Sequence, residues 1–177
     1  MLASFEHVVP QHPLTWKITT LVTPVFDSVW HFHPEFELTY IRNGHGTLLV
    51  GDLIANYVPG SLILIGPELP HTYVSTPGAP SHSAVVVQFR RDFLGEKFFD
   101  NPTFEAVSEM LTAASRGLSF TVEDDTFARL ETAPPDERTV ALLSLLVSLA
   151  SRQASPLAGE RHTPALNRVT ARALRQW

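Results

Sequence analysis

Apolar and polar positions begin to alternate at Thr15. Trp16, Ile18 and Thr20 are interleaved with Lys17 and Thr19, which predicts a first strand ending near Thr23-Pro24. Alternating or short apolar runs continue to Phe89 and predict strands over residues 28–32, 36–43, 46–50, 53–58, 61–65, 71–75 and 83–89. Turn-forming pairs separate them: Asn43-Gly44, Gly51-Asp52, Pro59-Gly60, Gly66-Pro67 and Pro77-Gly78. Short strands at this spacing predict a closed sandwich or barrel, with a tight hairpin at Gly51-Asp52 and a looser loop over residues 75–81.

After Phe89 the period becomes helical, with Arg90-Arg91-Asp92 as the hinge. A helix opening at Pro102-Thr103 runs through Val107, Met110, Leu111 and Ala114 toward a cap at Gly117. Leu118-Ser119-Phe120 then reads as extended, and a second helix starts near Val122 and includes Phe127 and Leu130. Pro135 suits the first turn of a third helix, residues 136–152, which is apolar on most of its circumference. Such a helix must be buried on more than one side, as the centre of a helical subdomain or as a dimer seam. At the end, Leu166, Val169, Ala173 and Trp177 share one helical stripe and Arg168, Arg172 and Arg175 another. The expected division is an arm over residues 1–14, a barrel over 15–90, a helical dimerisation subdomain over 91–152, and a linker with an amphipathic helix over 153–177.

Composition narrows the function classes. A chain of 177 residues with 44% hydrophobic content can bury a real core. A net charge of −5 argues against wrapping nucleic acid, and three arginines on one terminal stripe read more simply as a solvated helix face. No cysteine is present, so any metal must be held by nitrogen and oxygen. The N-terminus lacks the basic head and apolar run of a signal peptide, and residues 140–150 are too short to span a bilayer, so a cytoplasmic location is the default expectation.

The candidate chemistry lies in His31-Phe32-His33-Pro34-Glu35-Phe36-Glu37. On an extended chain His31, His33 and Glu37 share a face, while Phe32, Phe36 and Leu38 take the other. His71, on a strand brought alongside, would complete three imidazoles and one carboxylate, a donor set for a borderline divalent metal. Zinc or nickel is the expected ion. Glu35 is the alternative carboxylate. Strand parity suggests Trp30, Thr39, Ile41, Leu48, Leu64, Tyr73 and Val87 as pocket-lining residues, whereas His45 is expected to be exposed in its turn and His82 and His162 to be loop bystanders.

The spacing His31-x-His33-x3-Glu37-x6-Gly44, followed by Gly60 and His71, resembles the two signature motifs of the cupin superfamily. It departs from them at Val25, where a glycine is usual, and at Ser75, in place of an asparagine. A wider likeness runs through residues 31–41, Gly44-x-Gly46, Val50-Gly51-Asp52, residues 60–67, Leu69-Pro70-His71 and the helical region, and is similar to the sensor half of AraC-type transcription regulators. That likeness implies a mainly β fold, a cupin-like double-stranded β-helix or jelly-roll barrel followed by a small helical dimerisation subdomain. It implies a homodimer that senses a small polar molecule, such as a sugar, and is not an enzyme. DNA would be reached only through a C-terminal helix-turn-helix domain lying outside this sequence, and no membrane is involved. The competing expectation is a metal-dependent cupin enzyme, an isomerase, decarboxylase or dioxygenase.

Overall fold

The alternation that begins near Trp16 becomes two facing sheets. The structure is a computed structural model that describes residues 2–157, apart from residues 27–28, 77, 79–80, 123–124 and 153. The first sheet runs in the order β1 (Ser4–Phe5), β3 (His31–Phe32), β8 (His71–Ser75), β5 (Gly46–Val50) and β6 (Leu53–Tyr57). The second runs β11 (Ser155–Pro156), β10 (Leu118–Thr121), β7 (Ser61–Ile65), β4 (Phe36–Asn43), β9 (His82–Phe89) and β2 (Lys17–Thr23). Apart from the short parallel pair of β1 with β3, every pairing is antiparallel. The Gly51-Asp52 hairpin joins β5 to β6 with Val50 opposite Leu53, and Gly51 takes the positive φ that the tight turn needs.

The second sheet is apolar on both faces. Its inner residues Ile41, Ile63, Ile65 and Ala84 meet Leu48, Val50, Tyr57 and Tyr73 of the first sheet inside the barrel. Its outer residues Leu38, Tyr40, Leu62, Leu64, Val85 and Val87 form one continuous core with the helices. Those helices are α1 (Glu105–Ala113), α2 (Asp125–Thr132) and α3 (Pro135–Ala150). Asn101 caps the turn before α1 by accepting from the Thr103 amide, while Pro135 at the first position and Asp136 and Glu137 in the first turn suit the start of α3.

Helices and barrel are joined by specific contacts. Phe127 stacks on Tyr40 at 4.6 Å and 9°, the Trp16 indole donates to Thr139 Oγ1 at 3.2 Å, and Arg42 grips Glu131 through both guanidinium nitrogens. Leu142, Leu145, Leu146 and Leu149 of α3 are buried, but Val140 and Val147 are exposed, so in the single chain this helix is covered on one side rather than all round. The barrel also draws strands from beyond residues 15–90, namely β1 from the arm and β10 and β11 from the helical region. The expected terminal helix and its arginines, and His162, lie outside the described residues.

Candidate metal and ligand site

Three histidines arrive on two strands and a loop. His31 in β3 pairs directly with His71 at the start of β8, His33 follows in the turn after β3, and Glu37 lies near the start of β4 in the facing sheet. Their donor atoms all lie within 4.8 Å of one another. His33, Glu37 and His71 are buried and His31 is partly open to the pocket.

Each ring is held by the same device. His31 Nδ1 lies 2.7 Å from Val29 O, His33 Nδ1 3.1 Å from Glu35 O, and His71 Nδ1 2.9 Å from Leu69 O. A carbonyl can only accept, so each Nδ1 carries the proton and each Nε2 turns a lone pair toward Glu37. His33 Nε2 is 3.2 Å from Glu37 Oε2, and His71 Nε2 is 3.5 Å from Glu37 Oε1. His71 Nε2 is fully buried without a hydrogen-bond partner. Three imidazole nitrogens and one carboxylate, all within 4.8 Å of one another, are a donor set that fits a divalent metal such as zinc.

Two further side chains complete the cluster. Glu6, just after β1, places Oε2 3.3 Å from His31 Nε2 and 3.9 Å from His33 Nε2. The Gln88 amide, on β9, donates to Glu6 Oε2 and to Glu37 Oε2, each at 3.2 Å, while Thr39 Oγ1 donates to Glu37 Oε1 at 2.8 Å. Burial opposes ionisation of Glu37, but the nearby His71 ring and the hydrogen bond from His33 hold its pKa well below the usual carboxylate value. Burial likewise opposes charge on His31 and His33, yet the hydrogen bonds they donate to the Glu6 and Glu37 carboxylates outweigh it and raise both imidazoles. The hydrogen bond with His31 lowers Glu6.

The cluster forms one end of a cavity of about 210 Å³ that reaches past Thr39 and Tyr73 to Ile41 and Phe26. Residues 23–96 match the family model described as the AraC-like ligand binding domain. Over that stretch, under half of the chain, the barrel is similar to AraC-like ligand-binding domains. Among solved structures, ToxT from Vibrio cholerae O395 is similar at 9% identity and a TM-score of 0.50, over 92% of this chain and 64% of that one. An unsaturated fatty acid-bound ToxT from Vibrio cholerae strain SCE256 matches at 12% identity and 0.49, over 80% and 54%. A cupin 2 conserved barrel protein from Rhodopseudomonas palustris matches at 20% identity and 0.40, over 46% and 57%. The chain thus spans little more than half the length of the first solved structures it matches. No curated protein matches the sequence. The fold is the cupin-like jelly roll followed by a small helical subdomain, and among the described residues no helix is long and apolar enough to cross a membrane.

Within the barrel, His31, His33, Glu37 and His71 come together, and Thr39, Ile41 and Tyr73 line the cavity beside them. Trp30 does not join them. It precedes His31 and so takes the opposite face, in an outer groove with Leu49, Ile54 and Val74. Leu64 and Val87 register with Leu38 rather than Glu37, and therefore face the helices. Leu48 is inside the barrel core but not in the cavity wall. Phe32 packs edge-on to Phe5 of the arm rather than joining Phe36 and Leu38 in the helical core.

Glu35 sits on the far side of His33, 3.6 Å from Arg90, outside the ligand cluster. His45 is exposed, as its turn predicts, but His82 is fully buried, with its ring nitrogens 3.1 Å from Pro24 O and 3.3 Å from His45 O. Gly44 makes room for that ring, since a Cβ there would overlap it. Glu6 and Gln88 carry no local signal of a site. Parity with Glu37 across β9 could have pointed to Gln88, but nothing near Glu6 predicts the pairing of β1 with β3.

Proposed function

We propose that the barrel is the effector-sensing part of an AraC-type transcription regulator, and that a divalent metal, zinc or nickel, is held by His31, His33, Glu37 and His71. The observation that carries the metal is the common pinning of three Nδ1 atoms by backbone carbonyls, which leaves three convergent Nε2 lone pairs and an unpartnered, buried His71 Nε2. Burying such a set unoccupied is costly. The metal would supply Lewis acidity toward oxygen atoms of a bound small molecule, a sugar being one class that offers them.

The chain's own residues do the rest. Gln88 and Thr39 orient Glu37, Glu6 closes the cluster from the arm, and the cavity admits a small effector. The division into arm, barrel, helical dimerisation subdomain and linker belongs to the same reading. In it the homodimer forms through the helices, where Val140 and Val147 stand exposed on α3. DNA is read by a helix-turn-helix domain outside this sequence, in a cytoplasmic protein.

Calorimetric titration of chelator-treated protein with zinc and with nickel tests the metal. The expected result is one site per chain, and absence of binding would overturn it. Thermal-shift screening with small oxygen-bearing molecules tests sensing, and steady turnover of such a molecule would replace the sensor with a metal-dependent cupin enzyme.

A further inference from the structure

Strand register sorts the cavity wall by polarity. Gln88 pairs with Lys17 on one side and Glu37 on the other. Two residues along each strand, Val86 lies between Thr19 and Thr39, and two further along, Ala84 lies between Leu21 and Ile41. All nine side chains line the same cavity. The wall is therefore three parallel rows, one ionic, one mostly hydroxyl and one aliphatic, spread over about 13 Å at about 3.3 Å per residue. Phe26 joins the aliphatic end, and Glu6 and His31 join the ionic end.

We propose that the occupant is a compact amphipathic organic acid, its carboxylate at the ionic row and its branched or aromatic body at the aliphatic row. The inference rests on the metal-bearing reading of the site, because the carboxylates of Glu6 and Glu37 are outweighed only by Lys17 together with a divalent ion. With both cations present the row carries one net positive charge, which suits a single anionic head. An α-hydroxy acid offers that head two adjacent oxygens.

A sugar fits the wall less well. Its hydroxyls are distributed all round, so those placed against Leu21, Ile41, Ala84 and Phe26 would lose water without gaining a partner. The middle row offers a few polar contacts, from Thr19, Thr39 and the buried Tyr73 hydroxyl, which has no hydrogen-bond partner. Size narrows the class further. A cavity of 150 Å³ holds benzene, so about 210 Å³ suits roughly 8–12 non-hydrogen atoms.

Calorimetry of the zinc-loaded and the metal-stripped chain with mandelate and 2-hydroxyisocaproate, against lactate, benzyl alcohol, arabinose and galactose, tests this. The two body-bearing acids should bind the zinc-loaded form about tenfold or more tighter than lactate, which has the head alone, and tighter than benzyl alcohol or either sugar. Leu21→Asp, on an edge strand and 39% exposed, should weaken the two body-bearing acids more than lactate and so shrink their advantage over it. Lys17→Met should weaken all three acids by a common factor.

Sugars binding more tightly than acids, body-bearing acids binding no better than lactate, no binding of any probe, or an ineffective Leu21→Asp would each overturn the proposal. Zinc binding without acid binding would sink the proposal and spare the metal. Acid binding to a chain that takes up no zinc would do the reverse.

Discussion

Glu6 Oε2 lies 3.3 Å from His31 Nε2, and that contact fastens the N-terminal arm to the mouth of the cluster. The pairing of β1 with β3 spans two residues and is held by the amides of Ser4 and Glu6, bonded to Trp30 O and Phe32 O. So short a pairing has little independent stability. Glu6→Gln removes the charge from the side-chain contact and is expected to loosen the arm. Exchange of the Ser4 and Glu6 amides with deuterium should quicken about tenfold, the equivalent of about 1.4 kcal/mol. Unchanged exchange would show that Phe5 against Phe32, rather than Glu6, holds the arm.

His71 is the ligand with the fewest alternatives. His71→Ala should lower zinc affinity by more than about 100-fold and remove the rise in Tm that zinc gives, whereas His45→Ala, at an exposed turn residue, should change neither. Competition with a chromogenic chelator measures the first and differential scanning fluorimetry the second. Equal effects of the two variants would place the zinc elsewhere.

Gln88 touches both carboxylates through one amide nitrogen. Gln88→Leu has a similar volume and leaves Glu6 and Glu37 without that donor, so zinc affinity should fall by about 10–100-fold while the metal-free Tm changes little. The same chelator competition reads the first outcome, and a thermal melt the second.

Acid should release the metal. Ligating imidazoles must be neutral, and in the metal-free chain hydrogen bonds to Glu6 and Glu37 raise the His31 and His33 pKa values above the ordinary one of about 6.5. Protons therefore compete already above that value, and zinc affinity should decline steadily as the pH falls toward and through it. Titration of zinc affinity between pH 8 and 5.5 measures this, and a flat profile over that range would exclude these histidines as ligands.

Glu131 makes the junction between barrel and helices pH-dependent. Hydrogen bonds from Arg42, against some burial, lower its pKa in the folded chain, with Thr20 adding a further bond. A depressed folded pKa stabilises the fold above the unfolded value of about 4.3, and the benefit is lost as pH falls through the folded value. Glu131→Gln should cost about 1 kcal/mol at pH 7, and its Tm should converge on that of the parent as pH drops below about 4. A constant gap between the two melting curves would mean that Glu131 acts by packing alone.

Much of this was written locally in the chain. The strands at Phe36–Asn43, Gly46–Val50, Ser61–Ile65 and His71–Ser75 coincide with the predicted bounds, because glycine and proline pairs punctuate a clear alternation. Parity grouped His31, His33 and Glu37 on one strand face, whereas they converge from β3, the turn after it and β4 in the facing sheet. Leu64 and Val87 were misplaced because apolar residues lie on both faces of the second sheet, and only the register of each with Leu38 shows that it faces the helices. Glu6 and the buried state of His82 depend on partners distant in sequence, His31 for one and the vacant side of Gly44 for the other. The apolar circumference of α3 overstated its burial, since Val140 and Val147 face outward in the single chain.

Strand β2 has one neighbour, β9, and turns a different face to each layer of the molecule. Lys17 points into the cavity, while Trp16 just before it and Ile18 just after it lie in the core shared with the helices, Trp16 also donating to Thr139 of α3. Neighbouring residues on one stiff ribbon thus serve as stylus and needle: a molecule that tilts the edge strand at Lys17 must move the indole that leans on α3. With β9 on one side and the helical core beneath it, that edge strand joins the cavity wall directly to α3.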